Sequence, residues 1–225
     1  MKQKNAFTMI ELIIVMVVLG ILAAYSLPRL NRDTRAEAIN HMLSMIRYTQ
    51  NLALHDKKQM DSNNSWQRRF WRFEIKNCSG GGVYYRIGSD ENMKGNINKN
   101  ESAIDPSNGK YTYWNTAACP KSAIPDDISP NIFITQRYGI NEVDFKDCDI
   151  MKDGGKTQSD KKHIGFDDFG RYYKSFTSSD TPNYNGVGVG DCEIEFKFQN
   201  PDIDSFTIVV KKETGFAYIE ENPNL

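Results

Sequence analysis

The chain has 225 residues, which is room for one domain with a sizeable core, or for one membrane segment and an ordinary domain, but not for two large domains. Its 28 basic and 29 acidic residues nearly cancel, so no bulk field draws it toward nucleic acid or anionic lipid, and a nucleic-acid role would need a local patch. Mean hydropathy is -0.58 although residues 1–27 are strongly apolar, so the remainder is more polar than the average and the molecule is asymmetric.

A short basic leader with Lys2 and Lys4 precedes FTMIELIIVMVVLGILAAYSL, residues 7–27. As a helix this stretch would span about 31 Å, against a bilayer hydrocarbon core of about 30 Å, and it is expected to cross a membrane once. A secretory signal peptide is the competing reading, with Ala23 and Ala24 as the small residues. The apolar run is longer than the usual signal core, and Leu22 is bulky for cleavage after Ala24. Lys2 and Lys4 before the span and Arg29, Arg32 and Arg35 after it leave the orientation undecided by charge.

Glu11 is the only charge in that span. A carboxylate near the bilayer interior costs about 2.5–3.5 kcal/mol on insertion scales, and less one turn from the helix start, so Glu11 reads as functional and calls for a cation. No Lys, Arg or His lies between Phe7 and Leu27 to supply it. A glutamate that reaches headgroup water is the plainer alternative.

Pro28 removes a backbone donor and should bend or loosen the helix near Leu27 without having to end it. From Leu30 to His55 apolar residues recur at helical spacing, among them Ala38, Met42, Met45, Ile46 and Ala53, while Arg32, Arg35, Glu37 and Arg47 can face water. This predicts an amphipathic continuation over 28–55, with Gly20 and Pro28 as hinge residues. Gly20 also suits close helix packing in lipid. Residues 56–65 read as a loop leaving the helix. RFWRFEIK and VYYRIG flank Gly80-Gly81-Gly82 and form a candidate hairpin, and KYTYW, NIFIT, IGFDD, CEIEFKF, FTIVVK and GFAYIE are further candidate strands. Gly215 suits the positive φ of a tight turn after Lys212-Glu213-Thr214. Residues 89–109 are mostly polar and predict a long surface loop.

Cys78, Cys119, Cys148 and Cys192 all follow the apolar segment and form neither a CxxC pair nor zinc-finger spacing. Two disulfides in an oxidising compartment fit best, with three connectivities open; four reduced buried thiols are the alternative. Disulfides would place the part from 56 to 225 outside the cytoplasm.

Catalytic patterns are absent from the sequence: His41, His55 and His163 have no GxSxG or HExxH around them. Asp147, Asp149 and Asp153 with Gly154 have the look of a calcium loop, but Met151 stands where an oxygen ligand is wanted, so a polar turn is expected and no metal or cofactor is implied. In WQRRFWRF, residues 66–73, Arg68, Arg69 and Arg72 alternate with aromatic rings, the ingredients of a stacking and phosphate-binding surface. On a strand, Trp71, Phe73 and Ile75 would instead pack inward with Arg72 and Glu74 on the other side. Asn63, in an Asn-x-Ser with Asp61 two residues before it, is a candidate glycosylation acceptor in an exposed loop.

The run Ala6-Phe7-Thr8-Met9-Ile10-Glu11-Leu12, after a basic leader and before a long apolar helix, resembles the processing motif of type IV prepilins and of type II secretion pseudopilins. The resemblance implies removal of residues 1–6 by a prepilin peptidase between Ala6 and Phe7, where the family usually has glycine at the position of Ala6. It further implies N-methylation of Phe7 and pairing of Glu11 with the new terminal ammonium of a neighbouring subunit, within a low-dielectric helical bundle. The implied fold is α+β and pilin-like: a long N-terminal helix, half in the membrane and half packed on an antiparallel β-sheet head. The implied partners are other pilin or pseudopilin subunits, the peptidase and an inner-membrane assembly platform. The implied location is the bacterial inner membrane with a periplasmic head. In the C-terminal half, Ile164, Phe166 and Gly170, then Thr214-Gly215, are similar to the hairpin and turn of H-type minor pseudopilins. Taken together, the expectation is a non-enzymatic filament subunit of a secretion system or pilus; a DNA-uptake pseudopilin and a plain membrane-anchored binding or adhesion domain are the alternatives.

Overall fold

One helix, α1 (Met9–Leu54), runs for 46 residues and organises everything that follows. The structure is a computed structural model that describes residues 9–60, 65–116, 118–120, 124–152, 155–158, 162–176 and 181–220; the side chains of residues 23–33, 152 and 155–158 lie outside the description. At 1.5 Å per residue α1 is about 69 Å long, and it passes Pro28 without ending. Its second half carries the expected stripe: Ala38, Met42, Met45, Ile46, Thr49 and Ala53 are buried at three- and four-residue spacing. Each fully buried Met or Ile of this kind contributes about 1.5–3 kcal/mol.

The head is built on two four-stranded antiparallel sheets. The first has the order β2-β1-β6-β7, from β1 (Trp71–Asn77), β2 (Val83–Gly88), β6 (His163–Phe166) and β7 (Tyr172–Tyr173). The second has the order β10-β9-β8-β3, from β3 (Ile140–Lys146), β8 (Cys192–Phe198), β9 (Phe206–Val210) and β10 (Ala217–Ile219). A separate hairpin joins β4 (Asp149–Lys152) and β5 (Gly155–Gln158). Strand β8 alternates buried and half-buried positions, the period-two signature of a sheet with one face on the core.

The hairpin expected across Gly80-Gly81-Gly82 is present, with Phe73 opposite Ile87 and Ile75 opposite Tyr85. All three glycines have positive φ, a conformation open to them because they lack a Cβ. CEIEFKF, FTIVVK and GFAYIE also form strands, and Gly215 has φ +63° in the turn between the last two.

Three expectations are corrected. NIFIT is not a strand: Ser129 caps a 3-10 turn at Pro130–Ile132, and α2 (Ile134–Tyr138) follows, closed by Gly139 in the left-handed region. A Ser-Pro start and a glycine stop outweigh the β-branched composition between them. KYTYW makes only single bridges, from Tyr111 to Ile104 and to Ile128. The segment 89–109 is not a simple surface loop, because Ser89, Asp90, Ile97, Glu101, Ser102, Ala103 and Asp105 are buried.

Backbone bonds from Ser89 N to Glu101 O and from Ala103 N to Ile87 O hold the first part of this segment against β2, and Asp105 holds its end. Its carboxylate accepts from Ser107 N and Oγ, Asn108 Nδ2, Ser129 Oγ and Asn131 Nδ2, tying the loop to the start of the 3-10 turn. Burial pushes its pKa up, but the hydrogen bonds from Ser129, Ser107 and Asn131 outweigh this and hold it below the ordinary value. The four cysteines pair as Cys78–Cys119 and Cys148–Cys192, which selects one of the three open connectivities.

Candidate assembly site

The first turns of α1 are unlike any other part of the described chain. Met9, Ile10, Leu12 through Leu19, Ile21 and Leu22 are all apolar and all exposed, from 82% at Met9 to 46% at Val15. A helix that is apolar all round and bare all round cannot be stable facing water; it requires lipid or another protein. Among the described residues no helix is long and apolar enough to cross a membrane. The fully described apolar stretch is 9–22, about 21 Å of helix, while the side chains of Ala23 to Leu27 lie outside the description.

Glu11 sits exposed in the first described turn of α1, the one acid in its exposed apolar stretch. Gly20 is inside the exposed stretch, and a Cβ built on it would meet nothing within 4 Å, so within this chain it serves no close contact. Ala6, Phe7 and Asn63 lie outside the described residues, as do Asp153 and Gly154 of the calcium-like loop. Asp149 of that loop is in β4, and among the described residues no cluster of three His, Cys, Asp or Glu is placed to hold a metal.

The buried half of α1 is fastened to the head by polar side chains as well as by its stripe. Arg35 donates to the carbonyl oxygens of Asp204 and Ser205, and Arg47 donates twice to that of Ala217, so these two reach back onto the head as well as facing water. His41 Nε2 lies 3.0 Å from the hydroxyl of the buried Tyr85, and Glu37 pairs with Arg137 of α2 at 3.1 Å. Gln50 Nε2 donates to Gly170 O and Thr214 O. None of these fastenings was expected from sequence; only the periodic stripe around them gave a signal.

The turns that Gln50 joins are those containing Gly170 and Thr214-Gly215. Gly170, at φ +80°, completes a turn in which the Asp167 carboxylate accepts from Phe169 N and from Arg171 N and Nε. A Cβ on Gly215 would sit 1.9 Å from Gly170 O, so the two turns pack backbone to backbone.

The arginine-rich segment is occupied internally. Residues Trp66–Arg69 form a 3-10 turn, and both faces of β1 are covered, so Arg72 and Glu74 are buried rather than on an open face. Phe176 covers Arg72, with its ring 5.4 Å from the guanidinium. Arg72 approaches Glu74 at 3.3 Å and Asp90 at 3.8 Å, while Arg86 Nε donates to Glu74 at 2.5 Å. Burial would raise the Glu74 carboxyl, but Arg72, Arg86 and Lys76 together hold it below its usual range. Arg68 donates to Met93 O and Arg69 pairs with Glu91. These contacts turn the aromatic and basic run inward.

Residues 1–27 match the family described as the prokaryotic N-terminal methylation motif. No curated protein and no solved structure matches the chain.

Proposed function

We propose that this chain, whose residues 1–27 are a type IV prepilin or pseudopilin signal, is a minor filament subunit trimmed between Ala6 and Phe7, N-methylated on Phe7, and assembled through α1. Residues 7–27 anchor it in the inner membrane and the head stands in the periplasm, where its two disulfides form. Its partners are other pilin or pseudopilin subunits, a prepilin peptidase and the assembly platform. Its role is structural, in a type II secretion pseudopilus or a type IV pilus.

The observation that carries this reading is the division of α1: from Met9 to Leu22 it is apolar apart from Glu11 and exposed on every side, and from Ala38 to Ala53 one face of it is buried against two sheets. The first half has no partner surface in its own head, so its partners are lipid before assembly and other subunits after it. The convergence of Gly170 with Thr214-Gly215 beneath Gln50 supports the H-type minor assignment, because three of the five residues of that resemblance meet at one structural joint.

Intact-mass and N-terminal analysis of the protein from membranes of its native host tests the reading. A chain beginning at methylated Phe7 is the expected result. A retained Met1 or cleavage after Ala24 overturns it. Deletion strains scored for secretion and for piliation then distinguish the two systems.

A further inference from the structure

We propose that a cleft beside the edge strand β2 binds an anionic sugar, a hexuronate residue of a glycan. The cleft has a volume of about 460 Å³ and is lined by Lys76, Tyr84, Arg86, Asn96, Ile97, Asn98, Tyr113 and Asn115. That volume is within the range of pockets for small ligands.

The lining chemistry selects the ligand. Among the described residues, no intramolecular hydrogen bond engages the side chains of Asn96, Tyr113 and Asn115 or the Tyr84 hydroxyl, although all four residues converge on the cleft. Amides and phenols both donate and accept, which is what vicinal sugar hydroxyls need. Ile97 is the one aliphatic residue of the lining and is itself 2% exposed, so the cleft offers no hole for an apolar peptide anchor. The charge is set by the cluster behind it. Three cations, Arg72, Lys76 and Arg86, surround Glu74, and among the described residues Asp90 is the only further acid paired with them. Within that cluster the excess is one positive charge, and Lys76 and Arg86 line the cleft, where a carboxylate pairs with them; Glu101, in the opposite wall, is engaged by the backbone N–H groups of Asn92 and Asn98.

Both walls are held in place before any ligand arrives. On one side Asn98 caps the turn at Lys99–Glu101, the Glu101 carboxylate accepts from Asn98 N and Asn92 N, and Arg86 Nη1 donates to Ile97 O. On the other, the Cys78–Cys119 disulfide ties the segment carrying Tyr113 and Asn115 to the end of β1. A site whose walls need no ordering on binding avoids part of the entropy cost that weak sugar ligands rarely overcome.

Ligand-observed NMR on the full-length chain in detergent micelles tests this, with glucuronate and galacturonate as probes and glucose, galactose and acetate as controls. Saturable binding of at least one uronate is expected, with its neutral counterpart and acetate at least about tenfold weaker. Lys76→Gln and Asn115→Ala, both at side chains that bury little, should each weaken the uronate about tenfold. Three results would overturn the proposal: no saturation by either uronate, unchanged binding in both variants, or acetate competing as well as the uronate. The last would make the cleft a bare carboxylate site of the kind an acidic side chain of another protein fills.

Discussion

Gln50 on α1 donates its side-chain nitrogen to the carbonyl oxygen of Gly170 at 2.9 Å, and through the same nitrogen to that of Thr214 at 2.7 Å. One amide thereby links the helix to the β6–β7 turn of the first sheet and to the β9–β10 turn of the second. Gln50→Ala leaves two carbonyls without that donor and should destabilise the head by about 1–2 kcal/mol. Gln50→Glu should cost more, since a carboxylate would face two carbonyl oxygens. Urea unfolding followed by near-UV circular dichroism checks the order; equal stability of all three proteins would show that the joint holds nothing.

Gly215 is the tightest point of the same joint. Its φ of +63° disfavours any L side chain by about 1–2 kcal/mol, and a Cβ would collide with Gly170 O, which is backbone and cannot swing away. Gly215→Ala is therefore expected to destabilise by more than the conformational penalty alone. Gly109 provides the control: at φ +72° with open space around it, Gly109→Ala should cost only that penalty. Thermal unfolding of the two variants should separate them clearly.

Much of the head is legible where local rules and tertiary packing agree. The β1–β2 hairpin follows from three glycines between alternating apolar residues, and the stripe from Ala38 to Ala53 follows from helical spacing. NIFIT misleads because its flanking Ser129, Pro130 and Gly139 decide its conformation, and KYTYW misleads because cross-links to distant residues set its path. Arg72 and Glu74 occupy the side of β1 opposite Phe73 and Ile75, as the alternation predicts, and that side too is buried. The ring of Phe176, over a hundred residues on, covers it. Gln50 carries no local signal at all, since its two acceptors lie 120 and 164 residues away. The exposed apolar start of α1 is the most legible part of the assembly site, being a run that needs no partner within the chain to define it.

His41 should make stability depend on pH. Burial holds its pKa below the ordinary 6.5, opposed by Asp105 and Glu37 and reinforced by Arg137, with the Tyr85 and Tyr138 rings packed on it. The unfolded chain takes up the proton near pH 6.5, whereas the folded chain resists it until lower pH, so the unfolded state binds more protons in that window. Stability contributed by neutral His41 is thus fully present above about pH 6.5 and declines as the pH falls below it. His41→Gln should flatten that part of the profile, measured as the urea midpoint at a series of pH values; an unchanged slope would exonerate His41.

The two disulfides should differ in reducibility. Cys148 and Cys192 are both fully buried, whereas Cys119 is only partly buried and closes its loop at the surface. Mild reductant followed by alkylation and peptide mapping should therefore label Cys78 and Cys119 first. The loops span 41 and 44 residues, so loss of either bridge should cost a similar stability, about 2–4 kcal/mol from chain entropy. Simultaneous labelling of all four thiols would indicate that global unfolding, not local access, governs reduction.

Glu11 is the residue on which assembly is expected to turn. It is exposed in the first turn of α1, inside a stretch that is otherwise apolar, so neither its own head nor the core stripe needs it for folding. Glu11→Val should accordingly leave the unfolding of the head unchanged and make membrane insertion easier, since it removes a charge from the apolar segment. If Glu11 sets register by pairing with the terminal ammonium of a neighbouring Phe7, the same variant should be trimmed normally yet fail to enter filaments, because a buried ammonium would then lack its carboxylate. Glu11→Asp retains the charge on a side chain shorter by one methylene and should restore part of the incorporation, which a purely steric account of the position does not predict. Sheared-filament fractions probed for each variant, alongside membrane fractions probed for cleavage, separate the steps. Incorporation of Glu11→Val at the wild-type level would rule out the charge pair.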